Sequence, residues 1–237
     1  MKISVVIPAY NEEKFIGDTL KSVTESATEN LLEIVVVNNA STDNTKVVAS
    51  AFPKVRVVDE LKKGITRSRQ AGLNAALGDV LAYIDADTRV NKEWFKVLNE
   101  EFEQDPSLVC LSGPYEYYDL PALKLEVVKI WNAVAGVIPK LMGTAVIMGG
   151  NFSAKKSALL QAGKFDESIQ FYGEDTDIAR RLKLVGKVKF TSKFPIQTSA
   201  RRLNEEGFFK IGFKYLINYF SVVLFKKPIG GKYRDIR

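Results

Sequence analysis

The sequence contains no histidine and only one cysteine in 237 residues. Without histidine, the chain cannot form Ser-His or Cys-His nucleophilic pairs, and no imidazole can act as general base or metal ligand. The single cysteine, Cys110, excludes disulfides within the chain and cysteine-rich zinc sites. Its apolar surroundings, SLVCLSG, predict a core side chain. Proton transfer and metal binding must therefore depend on carboxylates, other oxygen ligands and cations.

The composition is that of a folded, basic protein. Hydrophobic residues make up 46% of the chain and aromatic residues 11%, enough for one large domain or for one domain with an appendage. The formal net charge is +6, which suits phosphorylated substrates, anionic lipid surfaces or nucleic acid. The N-terminal segment MKISVVIPAYNEE becomes acidic too early for a secretory leader, so we expect a cytoplasmic protein.

Short apolar runs alternate with amphipathic segments over the first 105 residues. This alternation predicts an α/β fold with parallel strands and helices on both faces of the sheet. The first helix is expected to follow Asn11 as its cap, with Glu12 and Glu13 in its first turn. The strands are expected at four apolar runs: 3–9, 33–41, 54–60 and 79–85.

The stretch VLAYIDADTRV places Asp85 and Asp87 one residue apart at the end of an apolar strand. Alternate side chains of an extended chain point the same way, so both carboxylates aim at one place. Like charges this close repel each other unless a positive group lies between them. Ligands of parallel sheets bind beyond the carboxyl ends of the strands, where Tyr10 and Asn39 also fall. A polar strand end followed by a helix cap is the simpler alternative.

Four segments in order carry a resemblance to the family-2 glycosyltransferases of the GT-A fold. They are VVIPAYNEE, VVVNNASTDNT, GDVLAYIDAD, and the pair GGNFSAKKSALLQAGKFDES with GEDTDIARRLKLVGK. The resemblance spans roughly residues 3–202. It implies a Rossmann-like, mostly parallel central sheet, with a catalytic domain over 1–205 and a tail over 206–237.

In that family the D-x-D acids bind a divalent metal that holds the nucleotide-sugar diphosphate. The resemblance therefore implies that Asp87 binds Mn²⁺ or Mg²⁺ directly. Asp85 would lie nearer the ribose, or would contact a metal ligand rather than the metal itself. Hard oxygen ligands agree with either ion. The nucleotide sugar is assigned to residues spread over the motif segments: Pro8, Ala9, Tyr10, Glu12, Asn39, Arg69, Asp85, Ala86 and Asp87.

Two positions depart from the family pattern. Many relatives have an aspartate where this chain has Asn39, and an amide there can both accept and donate to a base. Many relatives also supply a late histidine to the metal, whereas this chain has Arg201 and Arg202 in TSARRL. Either arginine is a candidate for the diphosphate. Arg69 is a further candidate, with a solvated helix face as its alternative.

The GEDTD segment is the second catalytic candidate. In an inverting transfer the hydroxyl attacks opposite the leaving diphosphate, so a base is needed on the acceptor side, and here it must be a carboxylate. The E-D pair of the family matches Glu174 and Asp175, and Asp175 is carried over as the base. Acids favoured at a helix N-terminus are the simpler alternative. The resemblance places Gly149, Gly150 and Asn151 at the sugar or acceptor pocket.

The tail predicts a surface helix. Lys210, Lys214, Asn218 and Ser221 form one polar stripe on an otherwise apolar and aromatic helix, followed by cations that include Lys226, Lys227, Lys232 and Arg234. Such a helix suits a membrane interface, although packing on the domain or in a dimer is the alternative. The uncharged run 215–225 is shorter than the ~20 residues that span a bilayer. The apolar stretch 127–148 is either core or part of a site for a lipid-borne acceptor.

The sequence thus predicts an inverting, metal-dependent glycosyltransferase. It would move a sugar from a nucleotide diphosphate, with a UDP-sugar favoured, to a hydroxyl of a lipid-linked or glycan acceptor. We expect it at the inner face of the membrane, with no nucleic-acid partner; the oligomeric state stays open. One alternative is a nucleotidyltransferase, which would need a glycine-rich phosphate loop after the first strand, whereas PAYNEE contains no glycine. The other alternative is a catalytically impaired sugar-nucleotide-binding protein at a membrane surface.

Overall fold

The computed structural model describes residues 1–121, 124–128, 143–169 and 171–229. Its strands are β1 (Ile3–Ala9), β2 (Leu31–Asn38), β3 (Val55–Asp59), β4 (Val80–Ile84), β5 (Thr88–Arg89), β6 (Leu108–Ser112), β7 (Tyr115–Tyr117), β8 (Asn151–Lys155), β9 (Lys187–Phe190) and β10 (Ile196–Thr198). Its longer helices are α1 (Ile16–Ser26), α2 (Thr45–Ser50), α3 (Ile65–Ala75), α4 (Trp94–Gln104), α5 (Lys156–Gln161), α6 (Glu174–Lys183), α7 (Arg201–Glu206) and α8 (Phe208–Phe225).

A seven-stranded sheet forms the centre of the molecule, in the order β3-β2-β1-β4-β8-β6-β9. Strand β1 pairs in parallel with β2 and β4, and β2–β3 and β6–β9 are also parallel. Strand β8 alone runs antiparallel, between β4 and β6. A second sheet of three short strands has the order β5-β10-β7. The predicted mostly parallel α/β sheet is confirmed.

Helices cover both faces of the central sheet. Val5 of β1 lies in one core cluster with Phe95 of α4, and its neighbour Val6 lies in a second cluster with Leu73 of α3 and Ile178 of α6. Successive residues of one strand therefore enter opposite layers of core, as the pleat requires. This explains why the strands are continuous apolar runs rather than alternating ones. The predicted covering of both faces is confirmed.

The loop after β1 differs from the prediction. Helix α1 begins at Ile16, and the acids before it are not in its first turn. Asn11 takes a positive φ of 54°, and its Oδ1 accepts a hydrogen bond from the Thr42 backbone N–H at 2.8 Å. The Glu13 carboxylate accepts from the Asn44 N–H at 3.0 Å. These side chains bond to the segment that leads into α2 rather than to the start of α1, and the Glu12 carbonyl accepts the Phe15 and Ile16 N–H groups in the turn before α1.

The segment before β8 is interrupted by a turn. The strand begins only at Asn151, since a turn at Gly149 and Gly150 precedes it. Residues 129–142 of the apolar stretch 127–148 lie outside the described residues. Downstream, α6 begins at Glu174 as predicted and ends at Lys183, three residues before Gly186.

Helix α8 lies on the domain with an orientation that the polar stripe did not predict. Asn218 and Ser221 are buried, as are Ile211 and Val222 on the same helix. Lys214 donates to the Glu206 carboxylate at 2.8 Å, so three of the four stripe residues face the protein, while Lys210 stays exposed. The side chains left exposed are largely apolar. Within the described ranges, none of the helices has the length and hydropathy needed to span a bilayer.

Candidate active site

The carboxyl ends of the neighbouring strands β2, β1 and β4 open into a cavity of about 770 Å³. Its walls come from these strand ends, the start of α3, the turn before β8, the first turn of α6, and helices α7 and α8. Nearly all of the site residues predicted from sequence line it: Pro8, Ala9, Tyr10, Glu12, Asn39, Arg69, Asp85, Ala86, Asp87, Gly149, Gly150, Glu174, Asp175, Arg201 and Arg202.

Asn151 is the exception. It is fully buried, its amide group donates to the Phe194 carbonyl at 2.8 Å, and its Oδ1 accepts from the Trp94 indole N–H at 3.2 Å. It does not line the cavity, so its place in the predicted acceptor pocket is wrong. Its bonds hold the start of β8 against the neighbouring segments instead. Asn151 therefore positions the preceding glycines without reaching a ligand.

The backbone of the acidic pair is held from both sides. Thr88 Oγ1 donates to the Asp85 carbonyl at 2.7 Å, and Thr19 Oγ1 of α1 donates to the Ala86 carbonyl at 2.7 Å. The strand end is thus fixed while both carboxylates face the cavity. Burial raises the pKa of Asp85 to about 6, Arg69 opposes that rise, and the nearby Asp87 adds to it. A buried pair of this kind gains stability from any cation that approaches.

The turn before β8 approaches Asp85 closely. Strand β8 pairs with β4, so Gly150 lies beside the Asp85 carboxylate. A Cβ on Gly150 would overlap that carboxylate, and one on Gly149 would lie 2.6 Å from the Arg69 guanidinium. The Gly150 N–H donates to the Tyr115 hydroxyl at 2.6 Å. Glycine is required at these positions because the backbone approaches Asp85 and Arg69 closely.

Arg69 is the buried cation at the centre of the site. Its Nη1 donates to Glu174 Oε1 at 3.1 Å, and the two side chains are 4% and 10% exposed. Burial lowers the pKa of the Arg69 guanidinium, but the charges of Glu174, Asp85 and Asp175 raise it above its ordinary value. Arg69 therefore neutralises acids from two motifs that are about 90 residues apart. The solvated alternative for Arg69 is wrong.

Asp175 has the properties of a group that accepts a proton near neutral pH. Burial and the neighbouring Glu174 raise its pKa to about 7, against the opposing charge of Arg69. Its Oδ1 accepts the Thr176 N–H at 2.7 Å, which fixes the carboxylate at the N-terminus of α6. Asp177, two residues on, faces away from the cavity and pairs with Arg180 and Arg181. In the first turn of α6, Asp175 therefore lines the cavity, whereas Asp177 forms ion pairs within the protein.

The Asn39 side chain bonds to the loop between β3 and α3, and this limits the hydrogen bonds that it can form with a ligand. Its Nδ2 donates to the carbonyls of Glu60 and Lys62 at 3.0 and 2.8 Å, and its Oδ1 accepts the Gly64 N–H at 2.8 Å. Both amide hydrogens are used within the protein, so only acceptor capacity remains for a base. Beside it, Lys63 bonds to the Tyr10 hydroxyl with its ammonium 4.2 Å from the ring centroid.

Arg201 brings the C-terminal part of the chain to the acidic strand ends. Its Nη2 lies 2.6 Å from Glu12 Oε1 and 2.9 Å from Asp87 Oδ2. Its guanidinium carbon lies 4.8 Å from the centroid of the Phe15 ring. Arg202 pairs with Glu206 at 3.2 Å and lies over Phe171 at 4.9 Å. Both arginines line the cavity, and Arg201 is the one at the D-x-D acids.

Several cavity residues were missed by sequence reasoning. Lys63 follows β3 in a segment without a motif, and Tyr115 lies in a strand that appeared featureless. Six further missed residues form an apolar wall: Met148, Phe171, Ile211, Tyr215, Leu216 and Tyr219. The aromatic character of α8 signalled part of this wall but indicated a membrane face, and the apolar stretch 127–148 signalled Met148.

The side chains at the strand end supply only some of the ligands that a hard divalent cation needs. Asp85 and Asp87 supply carboxylate oxygens of the right kind. Over the described ranges, however, no three His, Cys, Asp or Glu side chains gather into a group that could hold a metal. Arg201 already contacts one oxygen of Asp87. A Mn²⁺ or Mg²⁺ ion here fits when a ligand and water complete its coordination.

Comparison with known families gives a direct match. The model of the glycosyl transferase family 2 matches residues 4–159. Among curated proteins, the poly-beta-1,6-N-acetyl-D-glucosamine synthase of Staphylococcus epidermidis is 28% identical over 192 residues, which are 77% of this chain and 46% of that protein. The chain spans less than half the length of the first curated relatives that it matches.

Solved structures share the fold. The mannosyltransferase PcManGT from Pyrobaculum calidifontis, in complex with GDP-Man and Mn²⁺, superposes with a TM-score of 0.74 at 19% identity, covering 98% of this chain and 66% of that one. Glucosyl-3-phosphoglycerate synthase from Mycobacterium tuberculosis, in complex with Mn²⁺, UDP-glucose and phosphoglyceric acid, gives 0.64 at 21% identity, covering 93% and 79%. At these identities the likeness establishes the fold.

We predict that Arg69→Met destabilises the protein by about 3 kcal/mol, because Glu174 and Asp85 lose a buried counter-ion. The double variant Arg69→Met/Glu174→Gln should lose less than the sum of the two single changes, since the pair is removed together. Urea denaturation measures both. Arg67→Met is the matched control: its pair with Glu167 is 35% and 42% exposed, so the expected cost is below ~1 kcal/mol. Equal destabilisation by the two arginine changes would contradict the central role of Arg69.

Proposed function

The chain belongs to the glycosyl transferase family 2, and we propose that it transfers a sugar from a nucleoside-diphosphate donor to a hydroxyl group with inversion at the anomeric carbon. The observation that carries the proposal is the cavity at the ends of β2, β1 and β4. There the nucleotide loops, the D-x-D acids and the raised-pKa carboxylate of Asp175 face one another. A UDP-sugar is the favoured donor.

The donor would lie with its base and ribose over the loops after β1 and β2. Tyr10 offers an aromatic face there, and Pro8 and Ala9 offer backbone atoms at the edge of the sheet. The diphosphate would then face Asp85 and Asp87. Asp87 and Asp85 are the residues that would hold a divalent cation with the diphosphate. When bound, such an ion stabilises the negative charge that develops on the leaving diphosphate.

Asp175 would act as the general base. The acceptor hydroxyl gives its proton to the Asp175 carboxylate, its oxygen forms a bond to the anomeric carbon, and the bond from that carbon to the diphosphate oxygen breaks. A base with a pKa of about 7 is ionised for much of the time at neutral pH while still binding the proton firmly. Arg69 holds Glu174 in place beside the base.

The acceptor side of the cavity is apolar. Met148 and Phe171 face residues of α8 that include Ile211 and Tyr215 across it. A wall of this kind suits a hydrocarbon chain better than a sugar chain, since it offers area rather than directed hydrogen bonds. We therefore favour a lipid-linked hydroxyl over a free glycan as acceptor. Residues on both sides of the predicted domain boundary at residue 205 line the cavity, so α7 and α8 are part of the proposed active site.

Donor binding tests the proposal directly. We expect UDP-sugars to raise the melting temperature more than GDP- or dTDP-sugars, because a ligand that binds only the folded state stabilises it. Thermal shifts with each donor, with and without Mn²⁺, measure this. Uridine monophosphate and inorganic phosphate are the controls for the diphosphate. If no nucleoside diphosphate shifts the transition more than these controls do, the proposed donor class is wrong.

The base role predicts a defined pH profile. Because Asp175 accepts a proton only when ionised, kcat/KM should fall about tenfold per pH unit well below pH 7 and level off above it. Asp175→Asn should keep donor binding and lose transfer by ~10²–10⁴-fold, because only the base is removed. Asp177→Asn, on the same turn but paired with Arg180 and Arg181, should leave the position of the acid limb unchanged. Transfer by Asp175→Asn at the parental rate would exclude this mechanism.

We further propose that α8 binds the protein to the inner, anionic surface of a membrane. Its outward face carries Phe213 and Leu224, which are 63% and 61% exposed. Exposed cations lie at both ends of that face, at Lys210 and at Lys226 with Lys227. Apolar side chains flanked by lysines match the boundary between acyl chains and anionic headgroups. Lys232 and Arg234 lie outside the described residues.

Vesicle binding tests this surface. The protein should sediment with vesicles of phosphatidylglycerol and phosphatidylcholine at low salt and be released at high salt, because each lysine near the surface contributes about 1 kcal/mol that salt screens. The double variant Phe213→Glu/Leu224→Glu should weaken binding at least ~tenfold. Leu184→Glu, at an 81% exposed leucine of another surface, is the control and should bind like the parent. Identical sedimentation of all three proteins would exclude α8 as the membrane surface.

A further inference from the structure

Arg201 occupies the position at which a cation would neutralise Asp87. One nitrogen, Nη2, contacts both Asp87 Oδ2 at 2.9 Å and Glu12 Oε1 at 2.6 Å. The guanidinium is 20% exposed, and the two carboxylate side chains are 11% and 5% exposed. Charges that are this little exposed are screened weakly by solvent, so the contact is a substantial part of the electrostatics of the empty site.

The second terminal nitrogen of Arg201 is not engaged. Nη1 is buried and has no hydrogen-bond partner among the described residues, although the side chain lines the cavity. A buried guanidinium N–H without an acceptor is costly and favours an anionic ligand that supplies one. Diphosphate oxygens are acceptors of the geometry that arginine binds best. The unpartnered nitrogen therefore points to a second set of partners for the same side chain.

The anchoring of Arg201 allows a change of partner without a change of backbone. Asp119 accepts hydrogen bonds from the Ala200 N–H at 2.6 Å and from Ser199 Oγ at 2.7 Å, which fixes the start of α7. Phe15 supports one face of the guanidinium at 4.8 Å. The contact with Glu12 can persist while the contact with Asp87 is exchanged.

We propose that Arg201 is the counter-ion of Asp87 in the empty site and exchanges Asp87 for the diphosphate when the donor binds, so that the divalent cation binds tightly only together with the nucleotide. The inference rests on the proposed function. It follows from the competition of two cations for one carboxylate, and from the lack of a three-ligand group that could hold a metal within the described part of the chain. The exchange makes metal binding and diphosphate binding mutually dependent.

Mn²⁺ binding to the full chain tests the inference without an activity assay. Electron paramagnetic resonance of free Mn²⁺ gives its affinity with and without UDP. We expect the parent protein to bind Mn²⁺ at least about tenfold more tightly with UDP than without it. Without UDP, Arg201→Gln should bind Mn²⁺ about tenfold more tightly than the parent, because the Arg201 guanidinium no longer competes with the metal for Asp87. The change Asp87→Asn added to Arg201→Gln should remove that gain.

Arg89→Gln is the matched control. This guanidinium pairs with Asp18 at 2.7 Å and does not line the cavity, so the affinity for Mn²⁺ without UDP should stay at the parental value. Parental Mn²⁺ affinity in Arg201→Gln without UDP would overturn the inference. So would equal Mn²⁺ affinity of the parent with and without UDP, a measurement that does not depend on any variant folding. Failure of UDP, GDP and dTDP alike to bind would instead overturn the proposed function.

Discussion

The structure around the cavity depends on the neutralisation of carboxylates that the fold brings to one edge of the sheet. Glu12, Asp85, Asp87, Glu174 and Asp175 all line this cavity. Parallel strands direct their carboxyl ends to the same edge of the sheet, so the polar residues that follow β1 and β4 lie close together. Arg69 neutralises the interior of this group, and Arg201 neutralises its outer part. Without these two guanidinium groups, burial of so many acids would oppose folding.

The central sheet was predictable because burial on both faces leaves a strong pattern in the sequence. Strands β1, β2 and β4 are apolar runs followed by polar residues, and both features are local. The start of α1 was not predictable from the same kind of signal. Asn11 and Glu13 have the residue types of a helix N-terminus, but the loop after β2 offers backbone N–H groups to their side chains. The local sequence allowed either a helix cap at Asn11 or a loop, and hydrogen bonds to the distant segment after β2 stabilise the loop.

Motif spacing predicted residues that mostly line one cavity, and it failed at Asn151, whose side chain bonds within the protein. Asn151 follows two glycines of the site, yet β8 turns its side chain away from the cavity, toward Trp94 and Phe194. Helix α8 shows the converse. Its polar stripe indicated a solvent face, but Lys214 and Asn218 turn toward the domain because Glu206 offers a charged partner there. The direction of a side chain depends on its partners, and those lie far away in sequence.

The division of the site along the chain explains why the donor is better defined than the acceptor. The family model ends at residue 159, which covers the nucleotide loops and the D-x-D acids. Asp175, Arg201 and all of α8 come after it. The segment that the family model matches therefore forms the side of the cavity at the strand ends, and the later segment supplies Asp175, the second arginine and the apolar wall. Because one later segment carries both Asp175 and the apolar wall, that side of the cavity can change without altering the strand ends that carry Asp85 and Asp87.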